Sequence, residues 1–314
     1  MLKRVFLLVL TNILVMATLG VLWVLLTTFT PLGAWMNRSG MNLGGLAIMC
    51  LFWGFGGAFI SLLISRWMAK RAMGVELIDP DKARGEEAWL VQTVHRLARN
   101  AGIKTMPEVG IYPSMELNAF ATGPGKESAL VAVSAGLMQR MSHDELEGVL
   151  GHELSHVANG DMVTLTLIQG VVNAFVMFIS WILTMMISNA MRGNREDRRE
   201  GFGDFMLRSL IHNMLSMLLA FGAYLLIVAP FSRYREFRAD KGGADKAGKS
   251  KMIAALQALK AAAAGDALRA KQEGEAGSPA LAAFKISGPW KSLLSTHPPI
   301  DERIARLNQA DSSR

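Results

Sequence analysis

Apolar and charged positions are segregated along this chain. Four stretches contain no Asp, Glu, Lys or Arg: Val5–Asn37, Ser39–Ser65, Met162–Met191 and Ser209–Ser232. Each exceeds the roughly 20 residues that a helix needs to cross a hydrocarbon layer. The pattern therefore predicts four membrane helices, arranged as two hairpins. Lys3 and Arg4 precede the first stretch, but its apolar run outlasts the roughly 7–15 residues of a signal-peptide core. It is expected to be a retained anchor.

Between and after the apolar stretches the periodicity changes. Over Glu86–Ala101, Trp89, Leu90, Val94, Leu97 and Ala98 share one face, which predicts an amphipathic helix. Glu108–Tyr112, Leu117–Ala121 and Ala129–Val133 are short, apolar or alternating, and bounded by Pro and Gly, as strands are. Ser142-His143-Asp144-Glu145 has the form of a capping box before an apolar-periodic run, so a helix should start there and continue through His156. Lys246–Ala264 and Asp301–Leu307 read as helices, and the Gly/Ala/Ser-rich segment 265–289 as a mobile loop. The expected fold class is α+β, mainly α, with a small sheet. The expected organisation is a transmembrane hairpin at 1–65, aqueous parts at 66–161 and 233–314, and a second embedded hairpin at 162–232.

Composition supports the membrane assignment, with 51% hydrophobic residues in 314. The net charge of +7 would suit nucleic acid, but the basic residues cluster beside the apolar stretches: Lys3 and Arg4; Arg66, Lys70 and Arg71; Arg233, Arg235 and Arg238. That is the positive-inside pattern, and no basic stripe with interleaved aromatics exists to stack on bases. The N-terminus and both aqueous parts are expected on the cytoplasmic side. One feature opposes this: the segment joining the third and fourth stretches carries Arg192, Arg195, Arg198, Arg199 and Arg208, although a double crossing places it outside. The lone Cys50 lies in an apolar stretch, so no intramolecular disulfide is possible, which suits a reducing compartment.

The chemistry concentrates in Gly151-His152-Glu153-Leu154-Ser155-His156, an H-E-x-x-H pattern. On a helix, His152 and His156 share a face and can grip one ion. Glu153 sits about 100° further round, where it can deprotonate a water polarised by that ion. A reactive zinc site needs a third protein ligand. Arg235-Glu236-Phe237-Arg238-Ala239-Asp240 offers Glu236, with Asp240 four residues on to orient a ligand histidine; Asp161 is a further orienting candidate. His212 is the rival ligand. His95 and His143 read as surface or packing residues. His297, before Pro298-Pro299, and Arg233 and Tyr234, beside Glu236, are candidates to stabilise an oxyanion.

Taken together, His152–His156 followed by Asn159-Gly160-Asp161, then Arg235–Asp240, then Thr296-His297-Pro298-Pro299, resemble the HtpX family of bacterial membrane metalloproteases, which is related to the CAAX prenyl endopeptidases. The resemblance extends over nearly the whole chain, including the order of its apolar stretches. It implies a gluzincin-like domain facing the cytoplasm from the inner membrane. It further implies one Zn2+ per chain on His152, His156 and Glu236, with Glu153 as general base and misfolded or damaged membrane proteins, handled under stress, as substrates. It also implies that Asn118, Ala119 and Phe120 form an edge strand to which an extended peptide adds. A prenyl-protein peptidase and an inert membrane scaffold with a structural zinc are the alternative readings.

Overall fold

The computed structural model describes residues 21, 24, 25, 28, 29, 43–192, 202–274 and 297–309. These fall into two compact units, one comprising residues up to Ser61 together with Leu165–Val228, the other Leu62–Thr164 with Ala229 onward. The first expected membrane helix, and the turn after it, lie almost wholly outside the described residues. Among the described residues three helices are long and apolar enough to cross a membrane: Leu43–Met73, Asp161–Ser188 and Phe202–Ala247.

The first unit consists of these helices' apolar portions: most of α1 (Leu43–Met73), α5 (Asp161–Arg192 from residue 165 onward) and α6 (Phe202–Ala223), which a π-turn at Tyr224–Val228 continues. Much of their apolar surface is open, including Phe175, Met186, Met214, Met217, Leu218 and Leu226. Such faces are stable only against a nonpolar solvent or a partner surface. The chain is a membrane protein.

The second unit is built around a four-stranded sheet. Its strands are β1 (Glu76–Leu77), β2 (Glu108–Tyr112), β3 (Ala119–Thr122) and β4 (Leu130–Ser134). The order is β1-β2-β4-β3, with β2 and β4 parallel and the outer pairs antiparallel. β4 is wholly buried, as its continuous apolar sequence requires. Helices α2 (Gly85–Asn100), α3 (Ala135–Arg140) and α4 (His143–Asn159) belong to the same unit, as do α7 (Ala229–Ala247), α8 (Lys249–Gly274) and α9 (Ile300–Gln309). Leu90, Val94, Leu97, Val131, Val133, Leu137, Leu146, Leu150 and Leu154 form the core.

The helix α4 packs chiefly against α7 and α8. A side chain at Gly148 would place its Cβ 2.4 Å from the Lys251 carbonyl oxygen, so only glycine permits this approach.

Two sequence expectations need correction. The helix expected over Lys246–Ala264 is two helices, broken at Gly248, whose φ of 107° suits no ordinary side chain. The segment 265–289 is not loop throughout: α8 continues to Gly274. There Asp266-Ala267-Leu268-Arg269-Ala270-Lys271 is made chiefly of good helix formers, whose summed propensity outweighs the lone Gly265. The rest of that segment lies outside the described residues.

Candidate metal centre

Helix α4 begins where the sequence predicts. Ser142 Oγ accepts from the Glu145 amide, and the Glu145 carboxylate accepts from the Ser142 amide, closing the capping box. The helix ends at Gly160, whose φ of 70° is the left-handed cap that turns the chain into α5. This turn delivers Asp161 back onto the last helical turn, beside His156.

His152 and His156 lie one turn apart with their Nε2 atoms facing each other at 3.1 Å. From α7, Glu236 presents a fully buried carboxylate. Its Oε2 is 3.3 Å from His152 Nε2, and its Oε1 is 3.4 Å from His156 Nε2. Behind the rings, His156 Nδ1 lies 2.6 Å from Asp161 Oδ2, and His152 Nδ1 lies 2.9 Å from Asp240 Oδ1. An ionised carboxylate only accepts, so both Nδ1 atoms carry protons and donate them. In their neutral form the two rings then aim Nε2 lone pairs at one another and at an anion, which is costly unless a cation lies among them. The spacing fits a metal: ligand atoms 2.0–2.1 Å from one tetrahedral ion are about 3.3 Å apart.

The electrostatics agree. Burial alone would depress the His152 pKa, but hydrogen bonds to Asp240 and Glu236 reverse this and raise it to about 9. His156 is likewise raised, with Asp161 and Glu236 overcoming its burial. Glu236 lies beyond the apolar stretch that ends at Phe231. Desolvation opposes its charge, yet His152, His156 and His297 hold it well below the usual carboxylate range. The pocket is built for positive charge.

Glu153 is not directed into that cluster. Its Oε2 accepts from the Ala121 amide of β3 at 3.0 Å. Among the described residues strand β3 is a sheet edge, bonded to β4 alone. The Ser134 amide donates to the Asn118 carbonyl at 2.9 Å, so Asn118, and by alternation Phe120, turn their backbone groups toward β4. Those of Ala119 and Ala121 face the open edge beside Glu153. Of the expected edge residues, Ala119 is thus the one with backbone groups available.

Next to Glu153 is a cavity of about 310 Å³ whose lining includes His152, Asn118, Leu137, Val149, Met252 and Leu256. His297 stands at its margin, 60% exposed, with Nδ1 2.7 Å from Glu236 Oε2. Tyr234 is exposed at 62%.

One residue escaped the sequence reading. Arg303 on α9 is only 7% exposed and grips Asp240 with two bonds, Nε to Oδ2 at 2.7 Å and an Nη to Oδ1 at 2.5 Å. Asp240 therefore joins Arg303 to His152. A signal existed: Arg303 shares the helix face of Ile300, Ile304 and Leu307, an odd place for a charge without a buried partner.

The family model for peptidase family M48 matches residues 84–311, a span that contains the whole cluster. The chain belongs to peptidase family M48. Membership makes it a metalloprotease. Proteins called Protease HtpX are similar to it over almost their whole length. Those of Shewanella sp. strain W3-18-1 and Shewanella oneidensis are each 50% identical over 307 residues, 97% of this chain and 99% of theirs. Among solved structures, the crystal structure of S. mikatae Ste24p shares the fold at a TM-score of 0.58 and 18% identity. That likeness covers 95% of this chain but 65% of that one. Within the M48 match, His152, His156 and Glu236 form the single group among the described residues with three ligand atoms close enough to share one ion.

Proposed function

We propose that this M48 metalloprotease is a zinc endopeptidase in which His152, His156 and Glu236 hold the metal and Glu153 is the general base. The observation that carries this reading is the convergence of two Nε2 atoms and one buried carboxylate, with both Nδ1 atoms held from behind by carboxylates. Three imidazole and carboxylate ligands, with no thiolate, suit an open zinc site. Zinc bound there would polarise the scissile carbonyl and supply hydroxide at neutral pH.

The chain's own residues do the rest. An extended peptide adds to β3 through the outward backbone groups of Ala119, which fixes its carbonyls relative to Glu153. Glu153 takes a proton from the attacking water and passes it to the leaving amine. The Ala121 amide holds the carboxylate in place between these steps. A flanking side chain of the peptide enters the cavity lined by Leu137, Val149, Met252 and Leu256, so medium-sized apolar residues are preferred there. His297, near Glu236, is placed to stabilise the oxyanion.

We further propose that residues 66–161 and 233–314 form this catalytic domain on the cytoplasmic face of the inner membrane, anchored by hairpins at 1–65 and 162–232. Its substrates are misfolded or damaged membrane proteins. The open apolar faces of the long helices support a membrane anchor, and the apolar cavity suits the apolar segments of an unfolded membrane protein.

The test is cleavage by detergent-purified protein, stripped of metal and reloaded with zinc, of an unfolded membrane protein beside a farnesylated peptide. Zinc-restored cleavage of the unfolded protein supports the proposal. Cleavage of the prenylated peptide alone favours a prenyl-protein peptidase, and no cleavage favours an inert scaffold. For topology, cysteines placed in residues 193–201 should react with an impermeant reagent without permeabilisation; labelling only afterwards rules out the crossing hairpin.

A further inference from the structure

A second polar cluster lies in the first unit, between α5 and α6. A recess of about 480 Å³ is bounded there by Thr184 and Ser188 of α5 and by Arg208, Ser209 and His212 of α6. Its apolar walls are Trp181, Met185 and Phe205. No acidic side chain lines it among the described residues, although Asp204 stands one turn before Arg208.

Two features set the recess apart from an ordinary gap between helices. Ser188 is 8% exposed, and its hydroxyl has no hydrogen-bond partner among the described residues. A buried hydroxyl normally finds one, so this group is short of a ligand. His212 is held in place: Thr184 Oγ1 donates to the Ser180 carbonyl at 2.6 Å, lies 3.5 Å from His212 Nδ1, and Trp181 packs on the imidazole with centroids 5.0 Å apart.

Position identifies the occupant. The uncharged stretch Ser209–Ser232 is bounded by Arg208 and Arg233. A hydrocarbon layer of roughly 30 Å takes about 20 helical residues, so Arg208–His212 stands at one boundary of the layer. Tryptophan favours that same level. Headgroup phosphates lie there, and acyl chains begin immediately below.

We propose that this recess is a phospholipid site that binds the phosphate of an anionic headgroup. Arg208 supplies the fixed positive charge, and the Ser188 and Ser209 hydroxyls donate to phosphate oxygens. His212 orients the group. Trp181, Met185 and Phe205 receive the glycerol backbone and upper acyl chain. The apolar walls favour a lipid over free phosphate. The inference is independent of the proteolytic reading, since it uses no residue of the metal centre.

The test is native mass spectrometry of the full chain in detergent, titrated with phosphatidylglycerol, phosphatidylcholine or inorganic phosphate. Bound phosphatidylglycerol should be retained in preference to phosphatidylcholine, whose choline cation opposes Arg208. Inorganic phosphate should not displace it. Ser188→Ala removes a hydroxyl with no partner among the described residues, so it should leave folding intact while weakening retention. Arg208→Gln should weaken retention about tenfold, the loss of one charge-assisted hydrogen bond, and Arg208→Lys should restore part of it. Retention unchanged in both Ser188→Ala and Arg208→Gln overturns the proposal. Displacement by inorganic phosphate at equal concentration overturns the choice of a lipid.

Discussion

Two clusters of histidine and hydroxyl or carboxylate side chains lie in this chain, and they are provisioned oppositely. Around His152 and His156, a carboxylate stands against each ring nitrogen, and Glu236, Asp240 and Asp161 are each bound by more than one partner. Around His212, hydroxyls and an arginine line a recess in which no carboxylate is found among the described residues, and the Ser188 hydroxyl has no hydrogen-bond partner among them. The same imidazole group therefore serves two ends. Encircled by anions on both ring nitrogens, it is set to hold a cation; beside Arg208, it belongs to a pocket that suits an anion.

Removing a proposed ligand should break the first cluster most severely. His156→Ala should abolish both bound zinc and proteolysis, and Glu236→Ala should do the same; a chelator should match them in the wild type. Metal analysis beside a peptidase assay checks this. Metal retained at one per chain in either variant would remove that residue from the ligand set.

The next effect lies behind the ligands. Arg303→Gln leaves Asp240 buried with the His152 contact but without the two Arg303 bonds, so His152 loses its fixed orientation. Zinc affinity should fall about 10–100-fold, with a fold-stability loss of about 3–5 kcal/mol from the unpaired buried charge. A chelator competition and a denaturant melt measure the two separately. A stability loss with unchanged zinc affinity would reduce Arg303 to a scaffold residue.

How much of this was legible in the sequence depends on how local each signal was. The H-E-x-x-H helix was legible because Ser142 and Glu145 mark its start within a few residues, and Glu236 and Asp240 because one helical turn separates them. Arg303 was not, because its partner lies 63 positions away and an arginine on a short helix reads as solvated. The outward direction of Ala119 was hidden for a similar reason: alternation is visible in sequence, but its phase is set by pairing with β4. At 265–274 composition misled, since glycine and serine nearby obscured a run of helix formers.

Smaller effects refine the comparison. Leu259 lines the cavity beside Glu153 and is only half-buried, so Leu259→Phe should narrow that cavity and favour smaller substrate side chains by about tenfold in kcat/KM; cleavage of a peptide library reads this directly. Ser142→Ala should cost about 1 kcal/mol through loss of the cap, without a change in zinc content, as a thermal melt and metal analysis would record.

The most direct measurement is made on Glu153→Gln. This change keeps the side chain's shape and a carbonyl acceptor for the Ala121 amide, and touches none of the three residues around the metal position. Zinc content and proteolysis are measured on the same detergent-purified sample, beside wild type. The expected result is one zinc per chain, as in wild type, with turnover reduced at least about 10²–10⁴-fold, the range attributed to a general base. Full zinc with undiminished turnover would contradict the account, because the carboxylate held against β3 would then not be the base.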